Sequence, residues 1–336
     1  MKRALPYIAI IASMIIWSVS GIAIKHALAV LPPFTLIVMR FVPSVLLMLV
    51  IGLICRKSPL FGLQRLELRD LPLFLIAGFC QPFLYYLLET FTYDALNSPT
   101  IAETLLSTSP LLSPLFAVAL LRERVTKYNI IGIIISTLGV FALTLAGSTN
   151  YSIGNYWGVL LAFAAVSAAV IDSVMMRKVP EKYSSLSFIF YAQLISLLFF
   201  LPIWFWREGP AVLSTLNPQL STLNPQLSTL NPQLSTLNPQ LSTLNPQLST
   251  LHSPLSMALL CVAYLTVFAS VIAFILFCFA LRKVGVTQAN AFNNIRPVFT
   301  ALWMFLFFGE HLPAWKWIGM LLVIFGLFVC QRKETQ

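Results

Sequence analysis

Ten apolar segments, each close to the length of a membrane-spanning helix, follow one another along this chain of 336 residues. A helix that crosses the hydrocarbon core of a bilayer needs about 20 mostly apolar residues. Only 10% of the residues are charged, whereas a typical soluble domain has about 25%. We therefore predict an all-α polytopic membrane protein whose ten transmembrane helices span residues 5–24, 34–54, 71–90, 97–121, 128–147, 155–176, 184–206, 255–280, 286–308 and 314–331.

Lys and Arg are distributed unevenly between the connections. If the N-terminus is cytoplasmic, sixteen of the 21 fall on the cytoplasmic side and three outside, while Arg40 and Arg296 lie within helices. Because Lys and Arg concentrate in cytoplasmic connections, both termini are predicted to be cytoplasmic, in the plasma (inner) membrane. The same scattered placement argues against nucleic acid as a partner, despite the net charge of +10, and for the lipid bilayer.

The two halves of the sequence share a pattern. Residues 100–141 align without gaps on residues 287–328, and the identities include Pro110/Pro297, Glu123/Glu310, Gly132/Gly319 and Gly139/Gly326. We therefore predict a five-helix repeat over residues 1–150 and a second over 151–331, with the matched glutamates in a structural capping role. Because five is odd, the repeats must have opposite orientations, as in secondary transporters that bind substrate near the bilayer midplane.

A low-complexity array interrupts the second repeat. Residues 214–251 contain five copies of STLNPQL and the start of a sixth, with Asn-Pro in every complete copy. Proline disfavours helix, so we predict an external loop between helices 7 and 8. The first parts of the two repeats align at an offset of 152 and the second parts at 187. The difference equals the length of five copies, and we infer that the array was inserted into a regular duplicated protein.

Four ionisable residues stand out because they lie deep within the predicted helices: Arg40, Glu103, Asp172 and Arg296. A charged side chain at the centre of a bilayer costs about 2.5–3.5 kcal/mol on insertion scales, so each is a functional candidate. We expect Asp172 to neutralise Arg177 near the cytoplasmic end of helix 6. Two interpretations of Glu103 stay open, namely an ion pair with Arg40 at similar depth, or a carboxyl group that couples transport to protons.

Arg296 is the strongest of these candidates because its surroundings are also polar. Asn290, Asn293 and Arg296 are spaced by three residues and form one stripe, with Asn294 on its flank. Pro297 is expected to free the carbonyl of Asn293 for a ligand or water. Either this stripe contacts substrate, in which case the guanidinium favours an anionic or zwitterionic molecule, or it hydrogen-bonds neighbouring helices.

Two aromatic residues complete the candidate substrate site. Tyr85 shares one face of helix 3 with Gln81 and Glu89, at i, i+4 and i+8, and we expect this face at the cavity entrance. Trp17 in helix 1 is the candidate wall of the cavity.

Four stretches carry a recognisable pattern: Pro110 with the segment LRERVTKYNIIGIIISTLGVFAL, Pro297 with the segment FFGEHLPAWKWIGMLLVIFGLFV, residues 33–40, and Trp17. In these stretches the chain resembles the EamA-type transporters of the drug/metabolite transporter superfamily. The resemblance covers the whole chain except the array. It implies ten helices around a central cavity, alternating access, and export or exchange of small metabolites. Helix 6 departs from the pattern, because Ala169 occupies the place that corresponds to Trp17.

The sequence predicts a secondary active transporter that exports small polar metabolites; a lipid-linked sugar flippase and a multidrug exporter are the alternatives. A membrane-embedded enzyme is disfavoured, because the three His lie at helix ends or in connections and no HExxH or GxSxG motif occurs. The five Cys form no CxxC pair, so neither a metal nor a cofactor is expected. The expected partner is a small-molecule substrate, and a homodimer is compatible with this architecture.

Overall fold

The computed structural model describes residues 4–58, 61–96, 99–145, 156–212, 254–308 and 313–331, and within these ranges all regular structure is helical. The main helices are α1 (Leu5–Leu28), α2 (Pro33–Ile54), α3 (Leu71–Ala95), α4 (Pro99–Leu106 continued by Ser109–Leu121), α5 (Lys127–Leu145), α6 (Tyr156–Lys178), α7 (Ser185–Arg207), α8 (Leu255–Val284), α9 (Val286–Ala291, Phe292–Ile295 and Arg296–Phe308) and α10 (Ala314–Cys330).

Seven of these helices, α1 to α4 and α6 to α8, are long and apolar enough to cross a membrane, while α5 and α10 contain shorter apolar helices. The all-helical class predicted from the sequence is confirmed. The grouping of ten membrane-crossing helices into two inverted repeats stays a prediction. The STLNPQL array, Glu310 and His311 lie outside the described residues.

Proline residues lie next to the breaks in α3 and α9. In α3, Gln81 has φ −147° and ψ 118° directly before Pro82, whose missing N–H and bulky ring prevent a continuous α-helix. In α9, a turn of 3-10 helix precedes Arg296, and there the N–H of Arg296 donates to the carbonyl of Asn293. The expectation that Pro297 frees this carbonyl is therefore wrong, because the tighter turn supplies a donor from three residues ahead.

Helices α5 and α10 pack with their backbones in contact. A Cβ atom at Gly132 would lie 2.5 Å from the carbonyl oxygen of Gly326, and one at Gly139 would lie 2.8 Å from that of Gly319. Only glycine permits so close an approach. Residue numbers rise along α5 as they fall along α10, so the two helices are antiparallel. In the sequence alignment, Gly326 corresponds to Gly139 and Gly319 corresponds to Gly132. Each glycine of α5 therefore contacts the glycine that corresponds to the other one.

Two carboxylates tie the ends of helices to the starts of others. Glu123, just after α4, accepts hydrogen bonds from two backbone N–H groups at the start of α9, at 3.1 and 3.3 Å. Glu208, just after α7, does the same at the start of α2, at 3.2 and 2.6 Å. A carboxylate in this place satisfies free N–H groups and interacts favourably with the helix dipole. The capping role expected of Glu123 is confirmed.

Candidate functional site

A cavity of about 50 Å³ lies inside the bundle, between α1, α2, α3, α4, α6, α8 and α9. Six of the residues predicted to form the site are in its wall: Trp17, Arg40, Tyr85, Asn290, Asn293 and Arg296. A cavity needs about 10–15 Å³ to hold one water molecule. This one therefore has room for a few waters, and a metabolite enters only if helices move apart.

The first of two ion pairs at the cavity joins α9 to α4. Nε of Arg296 lies 2.8 Å from Oε1 of Glu103, but the N–H is not aligned for a hydrogen bond, so the contact is purely ionic. The hydroxyl of Tyr93 donates to the other oxygen of Glu103, at 2.5 Å. The guanidinium lies 5.9 Å from the ring centre of Trp17. Arg296 and Glu103 are only 6% and 2% exposed, so their charges are shielded little by water.

The second ion pair joins α2 to α3. Nη1 of Arg40 lies 3.9 Å from Oε2 of Glu89, which exceeds hydrogen-bond distance. Nε of Arg40 donates to the hydroxyl of Ser270 at 2.6 Å, and the guanidinium lies 4.2 Å from the ring centre of Tyr86. The hydroxyl of Tyr85 donates to Glu89 at 2.9 Å. Tyr85 thus acts on the cavity both as wall and as donor to a buried carboxylate.

Two charge pairings differ from those expected. Glu103 pairs with Arg296, not with Arg40. Asp172 does not neutralise Arg177, whose guanidinium donates instead to a backbone carbonyl near the end of α8. Residues five apart on a helix do not share a face. Asp172 is 1% exposed, and its Oδ1 has no hydrogen-bond partner within the part of the chain that the structure describes.

The three asparagines of α9 lie in two different environments. Asn293 donates to a serine of α4 at 2.8 Å, and Oδ1 of Asn290 accepts from a serine of α6 at 3.3 Å. Both line the cavity, and Nδ2 of Asn290 has no partner within the described ranges. Asn294 donates to two hydroxyl groups of α5, at 2.6 and 3.2 Å. Asn294 therefore attaches α9 to α5, and the structure does not place it at the cavity.

The sequence does not identify some partners of the residues that line the cavity. The sequence places Glu89 on a polar face of α3 without indicating Arg40 as its partner, although the cost of burying Arg40 alone indicates that an acidic residue must be near. Ser270 is one of many serines in apolar segments, and no sequence signal distinguishes it. Ala169 also lines the cavity, so the position corresponding to Trp17 is at the site despite its small side chain.

The two ion pairs balance in charge, since two guanidinium groups face two carboxylates. Arg40, Glu89 and Arg296 line the cavity, whereas Glu103 contacts Arg296 without being part of the lining. Among the described residues, the donor Nδ2 of Asn290 has no partner, while Nε of Arg296 and Oε1 of Glu103 have only their ionic contact with each other. Such an array can bind one molecule that carries both an anionic and a cationic group. Within the described ranges, no group of three or more His, Cys, Asp or Glu side chains is positioned to hold a metal ion.

Comparison with known proteins gives consistent matches. The model of the EamA-like transporter family matches residues 4–145 and 241–331. The uncharacterized transporter YetK of Bacillus subtilis (strain 168) is 24% identical over 337 residues, covering 100% of this chain and 89% of YetK. An uncharacterized transporter of Archaeoglobus fulgidus is 24% identical over 328 residues, covering 96% of each chain. One crystal structure superposes with a TM-score of 0.67 at 18% identity, covering 97% of this chain and 96% of the other, a likeness of fold.

Proposed function

The chain belongs to the EamA-like transporter family, and from this premise we propose that it is a secondary active transporter that exports small zwitterionic metabolites of the amino-acid type by alternating access. The observation that carries the proposal is the convergence of two buried ion pairs on one cavity.

The balanced charge of the two ion pairs favours a substrate with balanced charge. A carboxylate can take a hydrogen bond from Nδ2 of Asn290, which has no partner in the described ranges, and can pair with the guanidinium of Arg296 in the cavity wall. An ammonium group can approach the carboxylate of Glu89, which lines the cavity and lies 3.9 Å from Arg40. Burial of one extra charge without a counter-charge would cost several kcal/mol, which disfavours simple cations and anions. The four charged side chains likewise disfavour a large apolar drug.

Export requires the cavity to open alternately to the two sides. The antiparallel contact of α5 with α10, through glycines that the duplication pairs, supports two inverted repeats over residues 1–150 and 151–331. In this proposal the membrane is the plasma (inner) membrane and both termini are cytoplasmic. Glu103 couples transport to protons, because a protonated Glu103 no longer balances Arg296 and would release it to the substrate.

The experiment uses the purified full-length protein in liposomes and measures counterflow of radiolabelled compounds. The panel contains neutral amino acids, each beside the amine that lacks the carboxylate and the acid that lacks the ammonium group. We expect exchange of at least one amino acid and of neither analogue. Loss of a charge-assisted hydrogen bond weakens binding by roughly tenfold to a hundredfold, and Arg296→Ala should reduce exchange by about that factor.

Arg207→Ala is the matched control, since Arg207 is exposed at the end of α7, away from the cavity. It should exchange like the wild type. Two results would count against the proposal: exchange of an amine or acid as fast as that of its amino acid, or undiminished exchange by Arg296→Ala at equal protein content.

A further inference from the structure

A second cavity, of about 320 Å³, lies at the end of the bundle where α6 and α8 stop and α7 begins. Its charged lining consists of Arg177, Arg282, Lys283 and Glu181. This cavity is separate from the central one and shares no lining residue with it. The connections at this end of the bundle are among those rich in Lys and Arg. The volume of the cavity is at the lower limit of the range for small-molecule sites.

The charges of this cavity do not balance. Three cations face the single carboxylate of Glu181, which leaves two positive charges. Arg282 is held in place because its Nη1 donates to the carbonyl of Tyr183 at 2.6 Å. Its Nε and Nη2 are buried without a hydrogen-bond partner in the described ranges. Guanidinium nitrogens without acceptors are costly, and an anion that reaches them would remove this cost.

The remaining lining is mixed. Val179 and Phe279 contribute apolar surface, and Ser185 at the start of α7 contributes a hydroxyl group. A basic pocket between transmembrane helices at the membrane surface is the kind of site that holds the phosphate of an anionic lipid, with apolar residues alongside the glycerol and acyl groups. Arg is suited to this because its planar fork matches phosphate oxygens.

We propose that this cavity binds a phosphate-bearing anionic group, through Arg177, Arg282 and Lys283. The phosphate has two potential sources, the headgroup of an anionic lipid and a free phosphate ester. The mixed lining favours the lipid. The proposal does not depend on the transported substrate, because none of its residues lines the central cavity.

The test uses the full-length protein in a neutral detergent, with affinity taken from thermal unfolding against ligand concentration and stoichiometry from native mass spectrometry. The probes are phosphatidylglycerol, phosphatidylcholine with the same acyl chains, and glycerol 3-phosphate. We expect one phosphatidylglycerol to bind in preference to phosphatidylcholine. Arg177→Gln and Lys283→Gln should each weaken it about tenfold, the effect of one charge-assisted hydrogen bond.

Lys178→Gln is the matched control, because Lys178 carries the same charge at the next position but does not line the cavity. Its affinity for phosphatidylglycerol should fall by no more than roughly fivefold, the effect of losing one positive charge near the lipid surface. Arg177→Lys keeps the charge and should bind more tightly than Arg177→Gln, which guards against a mere folding defect. If glycerol 3-phosphate displaces the lipid at similar concentration, the site is assigned to free phosphate esters. Absence of preference for the anionic lipid, or equal losses in Arg177→Gln and Lys178→Gln, would overturn the proposal.

Discussion

Glu103 and Asp172 are both carboxylic acids buried in the bundle, but their surroundings differ. Glu103 contacts a guanidinium and a tyrosine hydroxyl, whereas Asp172 forms no ion pair within the described residues. Removing one member of a buried pair strands the other and costs about 3–5 kcal/mol. We expect Glu103→Gln to lower the melting temperature in detergent, and Asp172→Asn to leave it unchanged or raise it. A lower melting temperature for Asp172→Asn than for Glu103→Gln would contradict this account.

At this scale the sequence predicts which residues matter better than it predicts their partners. Arg296, Arg40 and Glu103 stand out because ionisable groups are expensive in a membrane, and all three are at or beside the cavity. Partners depend on how the helices are rotated, which single-helix periodicity does not specify. For this reason the sequence suggests Glu103 as a partner of Arg40, whereas the structure pairs Arg40 with Glu89. For the same reason the sequence places Asn294 beside the polar stripe, whereas its side chain contacts α5.

Asp70 and Lys182 form an ion pair in the connections, outside the apolar spans, at 2.8 Å. Hydrogen bonds, first from Lys182 and then from Tyr183, lower the pKa of Asp70 below its ordinary value. A lowered folded-state pKa contributes stability above the unfolded-state pKa of about 3.9, and this is lost as the pH falls through the folded-state value. Hydrogen bonding to Asp70, and next to Glu67, raises the pKa of Lys182. The stability contributed by Lys182 is therefore lost only as the pH rises beyond about 10.4.

Asp70→Asn is thus expected to lower the melting temperature slightly and by a constant amount between about pH 5 and pH 9. Below about pH 4 the difference from wild type should shrink, because the wild-type carboxylate is then protonated as well. Asp94→Asn, at an exposed carboxylate, is the control for removal of one negative charge and should leave the melting temperature near that of the wild type. A difference that grows toward low pH would contradict the prediction.

At the scale of elements, the contact of α5 with α10 makes the sharpest prediction. A Cβ atom at Gly139 would lie 2.7 Å from the backbone nitrogen of Val323, where no flexible side chain can move aside. Gly139→Ala should therefore push the helices apart and destabilise the protein, by about 1–3 kcal/mol as for other overpacked sites. Gly209→Ala is the control, because its new Cβ would meet atoms only at 3.4 Å and beyond. Equal melting temperatures of the two variants would show that α5 and α10 are free to separate.

The positions of the helices were predictable because apolar runs of spanning length have few alternatives. The importance of the glycines was also predictable, since Gly132 and Gly139 recur at the same spacing in the second half. Their mutual contact was not, because a duplication says which residues correspond but not which ones touch. The same holds for the capping glutamate. The duplicated pattern indicates that Glu123 is structural, but only the structure shows that it caps the start of α9.

For the whole molecule, the STLNPQL array is expected to be dispensable. Its five copies account for the difference between the two alignment offsets, so without them the two predicted repeats would align at a single offset. Loop length affects closure entropy weakly, by about 0.6 kcal/mol for each doubling. Deletion of residues 214–248 should therefore leave membrane yield, melting temperature and counterflow near wild type. A 35-residue Gly/Ser replacement is the control for length, and a deletion variant that fails to reach the membrane while this control succeeds would contradict the prediction.

The reciprocal glycine contact is the kind of self-complementary surface that joins two identical subunits about a two-fold axis. In a pair of identical subunits, every substitution would change both walls of a central chamber together. A single chain that contains both copies is released from that restriction, and here Trp17 and Ala169 line the same cavity from corresponding positions. In the proposed duplicated architecture, the cavity can therefore be asymmetric. A substrate with two chemically different ends needs an asymmetric cavity in order to bind in one orientation only.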